Sequence, residues 1–137
     1  MNLKNKLGMH IMRKLILMLF ICVGFAVHAY AQEMIGQRVI FKKDSVTVDE
    51  SQFAMLEMMA TYFKAHPKEM FFIGGFTSKS TPQERVDAVC EQRAQAVRTM
   101  LQDKYGVDCT HIFAIGVGVS TKADMDEFNE KVEFFKK

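Results

Sequence analysis

Tryptophan is missing from this sequence, and it holds only two prolines and three cysteines. So few cysteines exclude a small fold stapled by several disulfides. With so little proline and no Ser-rich run, nothing reads as an interdomain linker, and no internal repeat recurs. Asp and Glu are absent from residues 1–31, which carry Lys4, Lys6, Arg13 and Lys14. Those four bases hide the charge of the rest. The whole chain sums to +2, but removing four of its 18 Lys and Arg leaves 14 against 16 Asp and Glu, a net of −2. A slightly acidic body argues against binding nucleic acid or acting as a polybasic membrane binder.

Only one long apolar run is present, Leu15–Val27 (LILMLFICVGFAV). It follows the basic stretch and precedes Ala29-Tyr30-Ala31. This is the order of a secretory signal peptide with an A-x-A cleavage site. The expected organisation is a signal peptide over 1–31 and one domain over 32–137. Met9 or Met12 would serve equally as the start. An uncleaved anchor is the rival reading, but a spanning helix needs about 20 apolar residues. Cys22 lacks the two small residues expected before a lipidated cysteine, so it reads as part of the leader. The remaining chain is long enough to bury roughly 65% of its unfolded surface in one core. No membrane span is expected in it.

Within this domain, Arg38–Phe41, Met70–Ile73, His111–Ile115 and Lys131–Phe135 read as strands. Asp49–Ala65 reads as a helix with Leu56, Met59, Ala60 and Phe63 on one face, ended by His66-Pro67. A second helix runs from Pro82 to about Lys104 and stops at Gly106. Phe76–Thr81 reads as a polar turn, and Thr121–Asn129 as a polar segment with a short helical turn. The expected fold is α+β, in the order β-α-β-α-β-β, with two helices packed on one face of a small mixed sheet.

The second helix has an apolar stripe of Val86, Val89, Cys90, Val97, Met100 and Leu101. Arg93 falls in the middle of it. A guanidinium keeps its charge, so at a buried position it needs a partner. Its planar fork suits a carboxylate or phosphate held by two bonds. Two readings stand at this point: a contact to an anionic ligand near the Thr77–Ser80 loop, or an internal salt bridge or snorkelling stem.

Other chemistry finds little support. A Cys-His hydrolase would need Cys90 or Cys109 beside His66 or His111, and no nucleophile motif surrounds them. No His or Cys pair has metal-ligand spacing. Gly116-Val117-Gly118 lacks the third glycine of a nucleotide fingerprint. Cys90 lies about 21 Å of helix from its end at Lys104, so a bridge to Cys109 is not expected. No catalytic residue, metal or cofactor is expected.

From Val39 to about Val132 the chain resembles the OmpA-like peptidoglycan-binding domain. Val39-Ile40-Phe41 with Asp44-Ser45 resembles the family's first strand and its "F-x-x-D-S" exit. Ile73-Gly74-Gly75-Phe76-Thr77-Ser78 matches "I-x-G-H-T-D", and Val89-Cys90-Glu91-Gln92-Arg93-Ala94 with Val97 matches "L-S-x-x-R-A-x-x-V". Gly106-Val107 and Ile112 through Gly118 match "G-V…I…G-x-G". Asn129-Glu130-Lys131-Val132-Glu133 matches "N-R-R-V-E".

The resemblance implies an exported, non-catalytic envelope protein, periplasmic and associated with the outer membrane or cell wall. It implies a pocket for the peptidoglycan stem peptide, chiefly its diaminopimelate. The site residues it implies are Arg93, Thr77 and Ser78, with Val86 and Lys131 at positions where the family has asparagine and arginine. The alternative is the same scaffold serving protein–protein contact in the envelope without peptidoglycan.

Several positions depart from the family. Ser78 replaces the aspartate, Phe76 the histidine, Val86 the asparagine and Glu130 the first arginine of "N-R-R". A charged hydrogen bond contributes about 1.5–3 kcal/mol against about 0.5–1.5 for a neutral one. Exchanging aspartate for Ser78 is therefore expected to weaken binding of the ligand's ammonium by roughly 5- to 30-fold. Glu130 would repel a ligand carboxylate if it lies close.

Overall fold

A computed structural model of the chain describes residues 5, 6, 8–11, 13 and 33–137. The apolar run Leu15–Val27, Cys22 and the Ala29–Ala31 cleavage motif lie outside the described residues. Residues 5, 6, 8–11 and 13 are helical. No helix among the described residues is long and apolar enough to cross a membrane.

From Glu33 the chain forms β1 (Glu33–Ile40), α1 (Phe53–Ala65), β2 (Phe71–Thr77), α2 (Gln83–Asp103), β3 (Ile112–Val119) and β4 (Lys131–Lys136). Short 3-10 turns at Glu50–Gln52 and Asp126–Asn129 precede α1 and β4. The sheet order is β1-β4-β2-β3. β4 runs antiparallel to both β1 and β2, while β2 and β3 are parallel. The expected α+β fold with a mixed sheet and its element order are therefore observed.

The core lies between the sheet and the two helices. Leu56, Met59, Ala60 and Phe63 of α1 are its helix-side residues, as their spacing predicts. They meet Val39, Phe71, Ile73, Val132 and Phe134 of the sheet, together with Val97 and Leu101 of α2. The Phe63 ring packs edge-on against Phe71 at 4.8 Å and Phe134 at 5.8 Å. Aromatic pairs at this spacing stabilise beyond their buried area.

The strand ends differ from the sequence reading. β1 begins five residues before Arg38, because a register shift between Ile35 and Val39 interrupts the alternation that marks a strand. Asp49 caps the 3-10 turn ahead of α1, its carboxylate accepting from Ser51 N at 3.0 Å. That bond holds the Asp49 carboxyl down to about 2, with Lys42 adding to the effect. Gly74 and Gly75 do not close β2. They sit inside it, and Phe76 and Thr77 are strand residues, not turn residues. Gly116 and Gly118 likewise lie within β3.

The reason is a close approach of α2 to the sheet. A Cβ at Gly75 would lie 1.9 Å from the Cys90 carbonyl oxygen, and one at Gly116 would lie 2.9 Å from Glu91 N. Glycine at these two places lets the helix sit directly on the strands. That contact brings Arg93, one turn beyond Cys90, down to the end of β2.

Candidate functional site

Arg93 is fully buried, at 0% exposure. Its surroundings come from three separate parts of the chain. After β1, Asp44 adopts a left-handed φ of 60°, and Ser45 N donates to the Lys42 carbonyl at 3.0 Å. This tight turn aims two backbone carbonyls at the guanidinium. Arg93 Nε donates to Ser45 O at 2.8 Å, and Nη2 to Lys42 O at 3.3 Å. From β2, the Phe76 carbonyl accepts from Nη1 at 3.0 Å. Immediately before β4, the Glu130 carboxylate accepts from Nη1 in a buried ion pair. The Phe41 ring lies 5.2 Å from the guanidinium carbon. The "F-x-x-D-S" segment thus has a physical role. Phe41 covers the cation, Asp44 makes the turn, and Ser45 supplies an acceptor.

Glu130 is the centre of the constellation and is 2% exposed. Oε2 accepts from Arg93 and from the Thr77 hydroxyl at 3.0 Å, and Oε1 accepts from Ser78 N at 3.1 Å. Thr77 spends its one proton on Glu130, so in its 2.5 Å contact with Thr81 the Thr81 hydroxyl is the donor. The Ser78 side chain is taken by Ser80, Oγ to Oγ at 2.6 Å. A guanidinium, a backbone N–H and a hydroxyl therefore converge on one carboxylate. This is a well-formed carboxylate cradle, and the protein's own Glu130 occupies it.

A cleft of about 610 Å³ opens beside this cradle. It lies between Phe41–Lys43, Ser78 and Ser80, and Asp126–Phe128, with Glu130 in its wall. Lys42 and Lys43 carry positive charge on one side, and Asp126 and Glu127 negative charge on the other. Asn129 holds the latter segment in place. Its Oδ1 accepts from Ser120 Oγ at 3.1 Å and Ala123 N at 3.0 Å, and its Nδ2 donates to Ala123 O at 3.0 Å.

Of the residues singled out in the sequence, Arg93, Thr77 and Ser78 meet around Glu130, and Ser78 alone of these three lines the cleft. Val86 is a buried core-facing residue of α2 and is not in the cleft wall. Lys131 is also outside it. Residues alternate along β4, with Val132 and Phe134 in the core, so Lys131 points to the opposite face. There it pairs with Glu133 at 2.6 Å, both side chains buried, 5.2 Å from the Phe76 ring. The same alternation turns Glu130 inward to Arg93. The sequence flagged Glu130 only as a source of repulsion. An acid where the family has arginine was the signal that could have identified it as the counter-charge.

Both Cys90 and Cys109 are free and buried. Burial pushes both thiols up, and they donate to the backbone carbonyls of Gly118 and Arg98 respectively. No group of three or more His, Cys, Asp and Glu suited to a metal occurs among the described residues.

Burial pushes the Glu130 carboxyl up, but the bonds from Ser78 and Arg93 and the Arg93 charge outweigh it and hold it below its ordinary 4.5. A carboxyl lowered on folding stabilises the native state above its unfolded value. That contribution is lost as pH falls below about 4.5 and through the folded value. Thermal melts between pH 7 and 3 are expected to show an acid limb that Glu130→Gln flattens. An acid limb identical in the two proteins would exclude Glu130 as its source.

The sequence model of the OmpA family matches residues 40–134, and the chain belongs to that family. Outer membrane porin F of Pseudomonas aeruginosa is 30% identical over 82 residues, covering 60% of this chain. The match spans only 23% of porin F. Among solved structures, the peptidoglycan-associated lipoprotein of Burkholderia pseudomallei has a TM-score of 0.66 at 26% identity, covering 74% of this chain and 90% of that one. The OmpA-like domain of FopA1 from Francisella tularensis gives 0.64 at 20% identity, covering 79% and 77%. The periplasmic domain of Helicobacter pylori MotB gives 0.61 at 18%, covering 77% and 81%. The last two show the shared fold. The names of these relatives refer to the outer membrane, the peptidoglycan and the periplasm.

Proposed function

We propose that this chain is an exported, non-catalytic module of the cell envelope that docks on the peptidoglycan stem peptide at the cleft beside Ser78. The observation that carries this reading is the open cleft beside Ser78, lined by Lys42 and Lys43 on one side and by Asp126 and Glu127 on the other. Membership of the OmpA family supports the ligand class. The cleft's two signs of charge suit a zwitterionic tip. Lys43, with Lys42 paired to Asp49, would favour a carboxylate on one side, and Asp126 and Glu127 an ammonium on the other. In the leader, the basic stretch, apolar run and A-x-A motif support export.

A second reading is favoured by the closure of Arg93. Four of its five N–H donors are taken, by Glu130 and three backbone carbonyls. A scaffold with its ligand cation neutralised internally would serve protein contact in the envelope instead.

Sedimentation with purified diaminopimelate-type sacculi decides between them. Under the docking reading the protein pellets with sacculi, and reversing both exposed charges with Lys42→Glu and Lys43→Glu lowers retention at least about fivefold. A protein left wholly in the supernatant would overturn docking and leave the scaffold reading.

A further inference from the structure

We infer that Glu130 is an internal occupant of the carboxylate cradle and thereby sets the specificity of the cleft against ligands that end in a free carboxylate. This inference rests on the docking reading for its ligand class.

Three donors of the kind that hold a bound carboxylate are already used: the Arg93 guanidinium, the Thr77 hydroxyl and Ser78 N–H. An incoming carboxylate must displace Glu130 to reach them. The exchange replaces one anion by another on the same donors, so it gains little. The tethered side chain also competes at a high effective concentration. A carboxylate that stays outside the cradle meets Glu130 in the wall and Asp126 and Glu127 on one rim, against Lys43 and an Asp49-paired Lys42 on the other.

A neutral or cationic tip meets different conditions. Glu130 Oε1 accepts from Ser78 N at 3.1 Å, and a carboxylate oxygen can take more than one donor. Glu130 lines the cleft, so a carboxamide N–H₂ or an ammonium arriving there finds an acceptor instead of a rival. The cleft is therefore expected to prefer a stem peptide whose diamino acid ends in an amide, or is a lysine, over one ending in a free diaminopimelate carboxylate.

Calorimetric titration with three synthetic stem tripeptides tests this. They carry diaminopimelate, its side-chain carboxamide and lysine at the third position. The wild-type protein is expected to bind the amide or lysine peptide at least about tenfold more tightly than the free acid. Glu130→Ala empties the cradle and reverses that order. Acetate alone should then raise the melting temperature of Glu130→Ala but not of the wild type. If Glu130→Ala does not fold, Glu130→Gln keeps the shape and leaves Arg93 without a counter-charge. The free-acid peptide should then gain severalfold relative to the amide.

Failure of the two proposals is distinguishable. A wild-type protein that binds no peptide, beside a Glu130→Ala variant that binds the free acid, overturns docking and upholds the internal occupant. A wild-type preference for the free acid, unchanged on substitution of Glu130, overturns the internal occupant and leaves docking in place.

Discussion

Replacing Arg93 by alanine is expected to destabilise the protein by ~3–5 kcal/mol, because it strands the buried Glu130 carboxylate. Three backbone carbonyls lose their donor in the same step, those of Lys42, Ser45 and Phe76. A domain of this size has a total stability of about 5–15 kcal/mol, so the loss takes a large share of it. Glu130→Ala should cost a similar amount, since an unpaired guanidinium cannot shed its charge. Replacing both together by apolar residues, Arg93→Met with Glu130→Leu, should cost less than either single change. Denaturant unfolding of the four proteins tests that order. If Arg93→Ala lies within about 1 kcal/mol of wild type, the pair is not what joins the turn after β1 to the ends of β2 and β4.

Gly75→Ala is the second large effect, by a different cause. The added methyl would lie 1.9 Å from the Cys90 carbonyl oxygen, 2.8 Å from its carbon and 3.3 Å from Ala94 N. These are helix backbone atoms, which cannot turn aside as a side chain can. α2 would have to lift away from β2, opening the contact that seats Arg93. A loss of about 4 kcal/mol or more is expected, beyond ordinary overpacking. Gly118→Ala serves as the comparison. A Cβ there meets nothing within 4 Å, and only the φ of +129° resists it. Its cost should be about 1–3 kcal/mol. Equal unfolding midpoints for the two variants would show that the helix–strand approach is looser than these distances indicate.

The two substitutions mark where sequence reasoning reached and where it stopped. Leu56, Met59, Ala60 and Phe63 could be placed on the core face of α1 from spacing alone. A helix repeats its direction every 3.6 residues whatever it packs against. Arg93 stood out for the same reason, as a charge at an apolar phase. The glycines of β2 and β3 lie beyond Ile73 and Ile115, where the sequence pattern ends those strands. Glycine has no side chain to show a period, and the same residue serves a turn or a close contact. What distinguishes the two is the Cys90 carbonyl, fifteen residues further along the chain.

The partner of Arg93 shows the same division. The sequence by itself determined the order of elements, the core faces of both helices and the presence of a charge at position 93 that must meet an anion or reach water, because these follow from local period and from a charge that cannot be neutralised. Which of these it meets, a guest, water or an acid of the chain itself, was decided by tertiary structure. Glu130 lies 37 residues away. Only the antiparallel pairing of β4 with β2, which turns Glu130 inward and Lys131 outward, delivers its carboxylate to the guanidinium.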